Sequence, residues 1–420
     1  MNKELVRNII IENQQLIQQV ELVERPFEFE DKGNYVFVGV RQAGKSYMLF
    51  QRAKQLLKQG YDIDQILYIS FDDERINEIK SNELDIILQA HHLLTDLKPV
   101  LFLDEIQNID GWEHFARRLA NEKYTVYITG SNAKMLSRDI QTILGGRYWD
   151  VAVYPFSFKE FLKARNLKLE KNWQFSKTQG TVARIFEDYF YFGGFPELLQ
   201  IKAKRQWLTN IYNKIFFSDI VVRNSVRNEE SLRICIKRLA DCVMQPTSYN
   251  RLTNLIKSAG ININATTVTN YIQYLKDACL MFSIDNYADK FVERQTTKKH
   301  YFVDNGLLNL FLSTPETLLL ENICALFLYK KYGKGLHYYN KNIEVDFFVP
   351  DEQLAIQVSY NIDEDDTKKR ETKALIALNK FTPLSKALII TKNTEDVLEF
   401  DGLRIDVIPV WKWILVWENL

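Results

Sequence analysis

An open α/β fold is predicted for the first third of the chain: a parallel sheet with helices on both faces, followed by helical and mixed domains. Three observations predict it. A glycine-rich run, Gly39-Val40-Arg41-Gln42-Ala43-Gly44-Lys45-Ser46, sits between a short apolar stretch and a helix-forming one. Short, buried-looking strands then alternate with helical patterns over residues 35–155. One of these strands, residues 99–103, runs into two adjacent carboxylates, Asp104 and Glu105.

At 420 residues the chain exceeds one ordinary core, so two or three domains are expected. A hydrophobic content of 46% with 26% charged residues is that of a folded soluble protein. The 54 Lys and Arg balance 54 Asp and Glu, so no global charge points to nucleic acid or to a membrane. Cys235, Cys242, Cys279 and Cys324 show no C-x-x-C spacing, which argues against a zinc site or a disulfide framework. They read as buried thiols in a reducing compartment. No apolar run approaches the roughly 18 residues of a membrane span, and no signal-peptide core opens the chain. The expectation is a cytoplasmic protein with no membrane partner.

In chain order, residues 2–20 read as a helix with an apolar stripe at Leu5, Ile9, Leu16 and Val20. Residues 35–38 form the first strand, and 47–57 the helix after the glycine run. That run fits G-x-x-x-x-G-K-[ST], whose backbone N–H groups and helix N-terminus converge on a polyphosphate. Gly39 through Tyr47 are therefore the candidate ATP/ADP-binding residues, with Lys45 on the β/γ-phosphates. Residues 66–71, 83–97 and 99–103 give strand, crossover helix and strand. An acid at the end of the last can hold Mg²⁺ beside Ser46, so Ser46 and Asp104 are the candidate metal ligands and Glu105 activates water. The fourth strand, 124–129, enters Gly130-Ser131-Asn132. Asn132 or Ser131 would orient the attacking water or touch the γ-phosphate; the alternative is a plain turn. Arg147 follows Gly145-Gly146. It is either a loop residue or the cation that neutralises the transferring phosphoryl group, in its own subunit or in a neighbour's within a homo-oligomer. Arg41 is a weaker candidate for that work.

The phosphate loop, Leu103-Asp104-Glu105-Ile106-Gln107, Thr129-Gly130-Ser131-Asn132, Gly145-Gly146-Arg147-Tyr148 and Val153-Tyr154-Pro155-Phe156-Ser157-Phe158-Lys159-Glu160-Phe161 occur in one order. They are followed by Tyr191-Phe192-Gly193-Gly194-Phe195-Pro196-Glu197 and Tyr301-Phe302-Val303-Asp304-Asn305-Gly306. This series resembles a family of prokaryotic AAA-type (AAA+ superfamily) P-loop ATPases that carry a C-terminal region of unknown function. The resemblance covers nearly the whole chain. It implies an ATP-binding domain over residues 1–155 and a helical lid over 156–228. The Gly-Gly-Phe-Pro turn is expected to set the angle between two helices.

Residues 229–312 give helices at 229–244, from Pro246 to Gly260 and from Asn264 onward, then strands at 280–284 and 300–303, a winged helix-turn-helix pattern. Thr266, Thr269, Asn270 and Gln273 would project from its recognition helix, with Lys276 on that helix and Lys290, Arg294, Lys298 and Lys299 on the wing. DNA contact through 229–303 and docking to protein are both open. Residues 313–420 read helix, three strands, helix, strand, which resembles PD-(D/E)xK nucleases. In that fold a helix Glu, an Asp and an acid-x-Lys surround Mg²⁺. Glu321 and Asp346 are present, but Gln357 and Ser359 replace the acid and the lysine, so a degenerate site is expected. The reading is an ATP-hydrolysing switch or motor associated with DNA. An ATP-regulated nuclease and a nucleotide-dependent adaptor with little turnover are the alternatives.

Overall fold

The computed structural model describes residues 2–400 and 402–417. Its contacts divide the chain into two compact units: residues up to Pro155 together with Asp277–Cys279, and the remainder.

In the first unit, among the described residues, β1 (Asn34–Val38), β2 (Ile66–Ser70), β3 (Val100–Asp104), β4 (Thr125–Gly130) and β5 (Tyr148–Ala152) pair in parallel in the order β2-β3-β4-β1-β5. Helices α1 (Lys3–Gln19), α2 (Lys45–Lys58), α3 (Asp85–His92), α4 (Trp112–Asn121) and α5 (Arg138–Leu144) accompany the strands. The strands are two-faced because alternate residues point to opposite sides. Val36, Leu101, Leu103, Val126 and Ile128 join Val6, Ile9, Ile10, Phe115 and Leu119 in a largely aliphatic core. The opposite face carries rings: Tyr127 stacks on Tyr35 at 5.8 Å and on Phe102 at 5.0 Å. Arg52 of α2 covers this stack and donates to the Tyr127 hydroxyl at 2.7 Å. Two expectations need correction. The stripe of α1 runs through Val6, Ile9, Ile10 and Ile17, whereas Leu16 is 47% exposed. The positions i, i+3, i+4 and i+11 make one face, and Leu16 falls off it. Strand β5 was not anticipated, because Tyr148-Trp149-Asp150 is too polar for a buried strand; it is the exposed edge.

The second unit opens with α6 (Phe158–Ala164), α7 (Thr178–Phe192) and α8 (Lys204–Lys214), the last continuing as a π-helix over Ile215–Val222. Next come α9 (Glu229–Asp241), β6 (Thr247–Ser248), α10 (Tyr249–Lys257), α11 (Ala265–Asp277), β7 (Met281–Asn286), α12 (Phe291–Thr296) and β8 (Thr297–Phe302). Then follow α13 (Asn305–Asn309), α14 (Glu316–Tyr332), β9 (His337–Asn340), β10 (Glu344–Val349), β11 (Leu354–Val358), α15 (Asp365–Phe381), β12 (Lys386–Thr391), β13 (Asp396–Phe400), β14 (Leu403–Pro409) and α16 (Val410–Trp417). The residues expected to form a winged helix and those expected to form a separate α/β domain share one sheet. Among the described residues its order is β13-β14-β12-β11-β10-β9-β7-β8-β6. The join between the two halves is narrow: β7 and β9 pair only at Asp285↔His337 and Asn286↔Tyr338.

Two of the aromatic-glycine motifs lock onto each other. The Asp304 carboxylate accepts from Gly194 N (2.8 Å), Gly306 N (2.8 Å) and Leu307 N (3.3 Å). Gly193 has φ +78°, and a Cβ there would stand 2.0 Å from Asp304 Oδ1. Asn305 extends the lock by donating to Phe190 O and Leu319 O, both at 3.0 Å. The Gly-Gly-Phe-Pro turn thus receives a buried acid from more than a hundred residues downstream.

Candidate nucleotide site

Because the first sheet is parallel, the carboxyl ends of β1, β3 and β4 lie at one edge. The glycine run leaves β1 there and α2 begins at Lys45. Gly39 is required by close approach, since a Cβ would lie 1.9 Å from Val153 O. Gln42 and Gly44 take left-handed backbone, φ 61° and 95°. Val40 and Ala43 are buried, while Tyr47 is exposed at the helix start. The Arg41 guanidinium lies 3.9 Å from Asp72 Oδ2.

Lys45 is buried, with Nζ 3.3 Å from Val40 O and 3.3 Å from Glu105 Oε1. Asp104 ends β3 and is buried. Its carboxylate takes three hydroxyls: Tyr68 at 2.5 Å, Thr129, and Ser46. Burial, reinforced by the Glu105 charge, raises its pKa above the usual Asp value, and those hydroxyls pull it back part of the way. Glu105 adopts φ 52°, and its N–H donates to Thr129 Oγ1 at 2.9 Å. Its second oxygen accepts from Gln107 Nε2 at 2.6 Å, and Gln107 also reaches Ser131 Oγ at 3.4 Å. Burial by itself would raise the Glu105 pKa, but Lys45, Gln107 and Arg41 outweigh it and hold the group below the ordinary Glu value. Sequence reasoning missed Tyr68, Gln107 and Thr129.

Asn132 Oδ1 accepts from Lys134 N at 2.9 Å, so this side chain caps the following turn. Arg147 sits elsewhere. It precedes Tyr148, which pairs with Asn34 at the start of β1, and its backbone carbonyl accepts from Asn34 Nδ2. It therefore lies at the amino edge of the sheet, roughly 15 Å of strand from the glycine run. Its guanidinium donates to Gly145 O at 3.3 Å.

In the second unit Thr266, Asn270 and Gln273 are exposed on α11, whereas the Thr269 hydroxyl donates back to Ala265 O at 2.9 Å. The wing differs from expectation. Lys298 pairs with Asp285 at 2.7 Å, and the Arg294 guanidinium donates to Asp289 O and Tyr287 O. Lys299 is fully buried, because it lies inward on β8 against Glu321 and Asp346. Glu321 on α14 and Asp346 on β10 meet at this lysine. Gln357 accepts from Asp346 N at 2.8 Å and donates to Glu344 O at 3.2 Å and to Glu371 at 2.9 Å, and the Ser359 hydroxyl donates to Asn361 O at 2.7 Å.

A family model described as an AAA domain matches residues 31–162, and one for a domain of unknown function matches 183–317. The uncharacterized protein MJ1544 of Methanocaldococcus jannaschii is 32% identical over 436 residues, covering 99% of this chain and 96% of that one. This chain belongs to the same family as MJ1544, and carries the AAA-domain match within its residues 31–162. An uncharacterized protein of Haemophilus influenzae is 29% identical over 412 residues, covering 95% of this chain and 99% of that one. Among solved structures, the Walker-type ATPase PABY2304 of Pyrococcus abyssi has 14% identity and a TM-score of 0.42, covering 74% of this chain and 95% of that one.

The AAA domain has the donor set that a Mg²⁺–nucleotide needs. Lys45 and the N-terminus of α2 suit an anionic polyphosphate. The Asp104 carboxylate and the Ser46 hydroxyl, already in contact, are the hard oxygen donors that Mg²⁺ prefers. Among the described residues no helix is long and apolar enough to cross a membrane.

Proposed function

We propose that this AAA-domain protein hydrolyses ATP with Mg²⁺ and uses the cycle as a switch or motor. The observation that carries the reading is the Lys45–Glu105 pair at 3.3 Å beside Asp104 and Ser46. Bound Mg²⁺–ATP supplies an electrophilic γ-phosphoryl group and a good leaving group. Lys45 supplies the cation for the β/γ-phosphates, and Ser46 and Asp104 hold the metal. In doing so Lys45 gives up Glu105, whose ionised carboxylate then orients and deprotonates a water while Gln107 keeps its second oxygen in place. Arg147, at the opposite sheet edge from the phosphate loop, supplies its charge to a neighbouring copy in a homo-oligomer. The exposed Thr266, Asn270 and Gln273 of α11 form the face that meets a partner, and DNA is the partner we assign to it. Cleavage of nucleic acid is not part of the function, since Gln357 and Ser359 are committed to other contacts. Steady-state hydrolysis by Lys45→Ala and Glu105→Gln proteins tests the core of the reading; unaltered turnover in both would refute it.

A further inference from the structure

The second unit contains an acidic site whose centre is already filled. Lys299 Nζ lies 3.1 Å from Asp346 Oδ1, 3.3 Å from Glu321 Oε1 and 3.6 Å from Glu344 Oε1. The side chains of Lys299 and Glu321 are 0% exposed. Tyr301, two residues along β8 and so on the same face, donates its hydroxyl to the same Glu321 oxygen at 2.7 Å. The other oxygen, Glu321 Oε2, is buried without a hydrogen-bond partner. Asp346 Oδ2 accepts from Val358 N at 3.0 Å. Burial works against the lysine's charge, but Glu321, Asp346 and Glu344 outweigh it and hold Lys299 above the ordinary lysine value, while burial pushes Glu321 up to about 8 against the pull of Lys299.

Carboxylates converging from a helix and a strand are the donor set of a hard divalent cation. Here an ammonium with three N–H donors faces three carboxylates instead. The lysine comes from a distant strand: β8 and β10 are three places apart in the sheet, about 14 Å if it were flat. No lysine side chain spans that distance, so the sheet is not flat between β8 and β10.

We propose that Lys299 is a built-in counter-ion standing where a divalent cation would bind among Glu321, Asp346 and Glu344. The wild-type site therefore takes no metal, and the ion pairs fix the β7–β8 ribbon to the rest of the sheet.

Thermal unfolding of the full chain without nucleotide, with and without Mn²⁺, tests this, together with spin-resonance counting of bound Mn²⁺. The Lys299→Met protein is expected to unfold at lower temperature than wild type, to bind one more Mn²⁺ per chain, and to recover part of the loss when the ion is added. Adding Glu321→Gln to Lys299→Met removes the buried acid left without its lysine, so this double variant recovers stability without metal and responds less to Mn²⁺. If Lys299→Met alone does not fold, refolding it in Mn²⁺ and comparing it with the double variant gives the same answer. Mn²⁺ stabilisation of wild type that Asp346→Asn abolishes would overturn the proposal. So would a Lys299→Met protein that gains no ion, whether or not it is destabilised.

Discussion

Lys45 Nζ lies 3.3 Å from Glu105 Oε1, in a pocket where Gln107 holds the other Glu105 oxygen at 2.6 Å. Burial pushes the Glu105 pKa up, and Lys45, Gln107 and Arg41 together push it below the ordinary 4.5. The acid limb of kcat/KM, which reports the free enzyme, is therefore expected below that value. In a Gln107→Leu protein one of the lowering contacts is gone, so the limb moves to higher pH and turnover falls while ATP affinity is kept. A pH–rate profile identical to wild type would remove Gln107 from the account.

Arg147 lies at the opposite sheet edge from the phosphate loop, and the proposed use of its charge is in a second copy's site. An Arg147→Ala protein mixed with a Lys45→Ala protein is expected to regain ATPase activity in mixed assemblies, because each variant retains what the other lacks. A mixed oligomer that forms but stays inactive, or a monomer that hydrolyses ATP, contradicts the assignment.

Asp304 carries a pH signature. Burial raises its pKa from 3.8 to about 6, with the N–H groups of Gly194, Gly306 and Leu307 working the other way. A raised folded-state pKa gives a stability contribution fully present below 3.8 and lost as pH rises through about 6. Asp304→Asn has no such titration, and its amide sets a donor against Gly194 N–H, costing about 1–3 kcal/mol. Urea unfolding should therefore show the stability gap between wild type and Asp304→Asn narrowing from about pH 4 to about pH 7. A constant gap would contradict the buried-acid description.

At the α11 face proposed to meet DNA, Lys298 and Lys299 are held by Asp285, Glu321 and Asp346, so the exposed Lys290 is the better test of phosphate contact. Lys290→Glu should weaken binding to all DNA sequences and cut the slope of log K against log salt by about 1. Asn270→Ala or Gln273→Ala should instead blunt sequence preference. No binding at low salt, with or without ATP, would make the α11 face a protein-docking surface.

The strand, glycine run and helix around Lys45 are legible in the sequence because their signals are local and contiguous. Asp104 is legible for the same reason, as an acid closing a run of aliphatics. Tyr68 and Thr129 were not, because each looks like an ordinary strand residue until strand order puts β2 and β4 on either side of β3. Lys299 was misread as wing surface. Its partners are 22 and 47 residues away, and only the curl of the sheet brings them together. The 313–420 region looked separable because its pattern is self-contained; the two-position pairing of β7 with β9 leaves no sequence trace.

The most direct test of the central claim is Mg²⁺-dependent phosphate release by wild type, Lys45→Ala and Glu105→Gln, with ATP binding measured in parallel. Wild type should turn over ATP. Lys45→Ala should lose both binding and turnover. Glu105→Gln should keep ATP bound while turnover falls by about 10²–10⁴-fold. Turnover unchanged in both variants would contradict the assignment of this site.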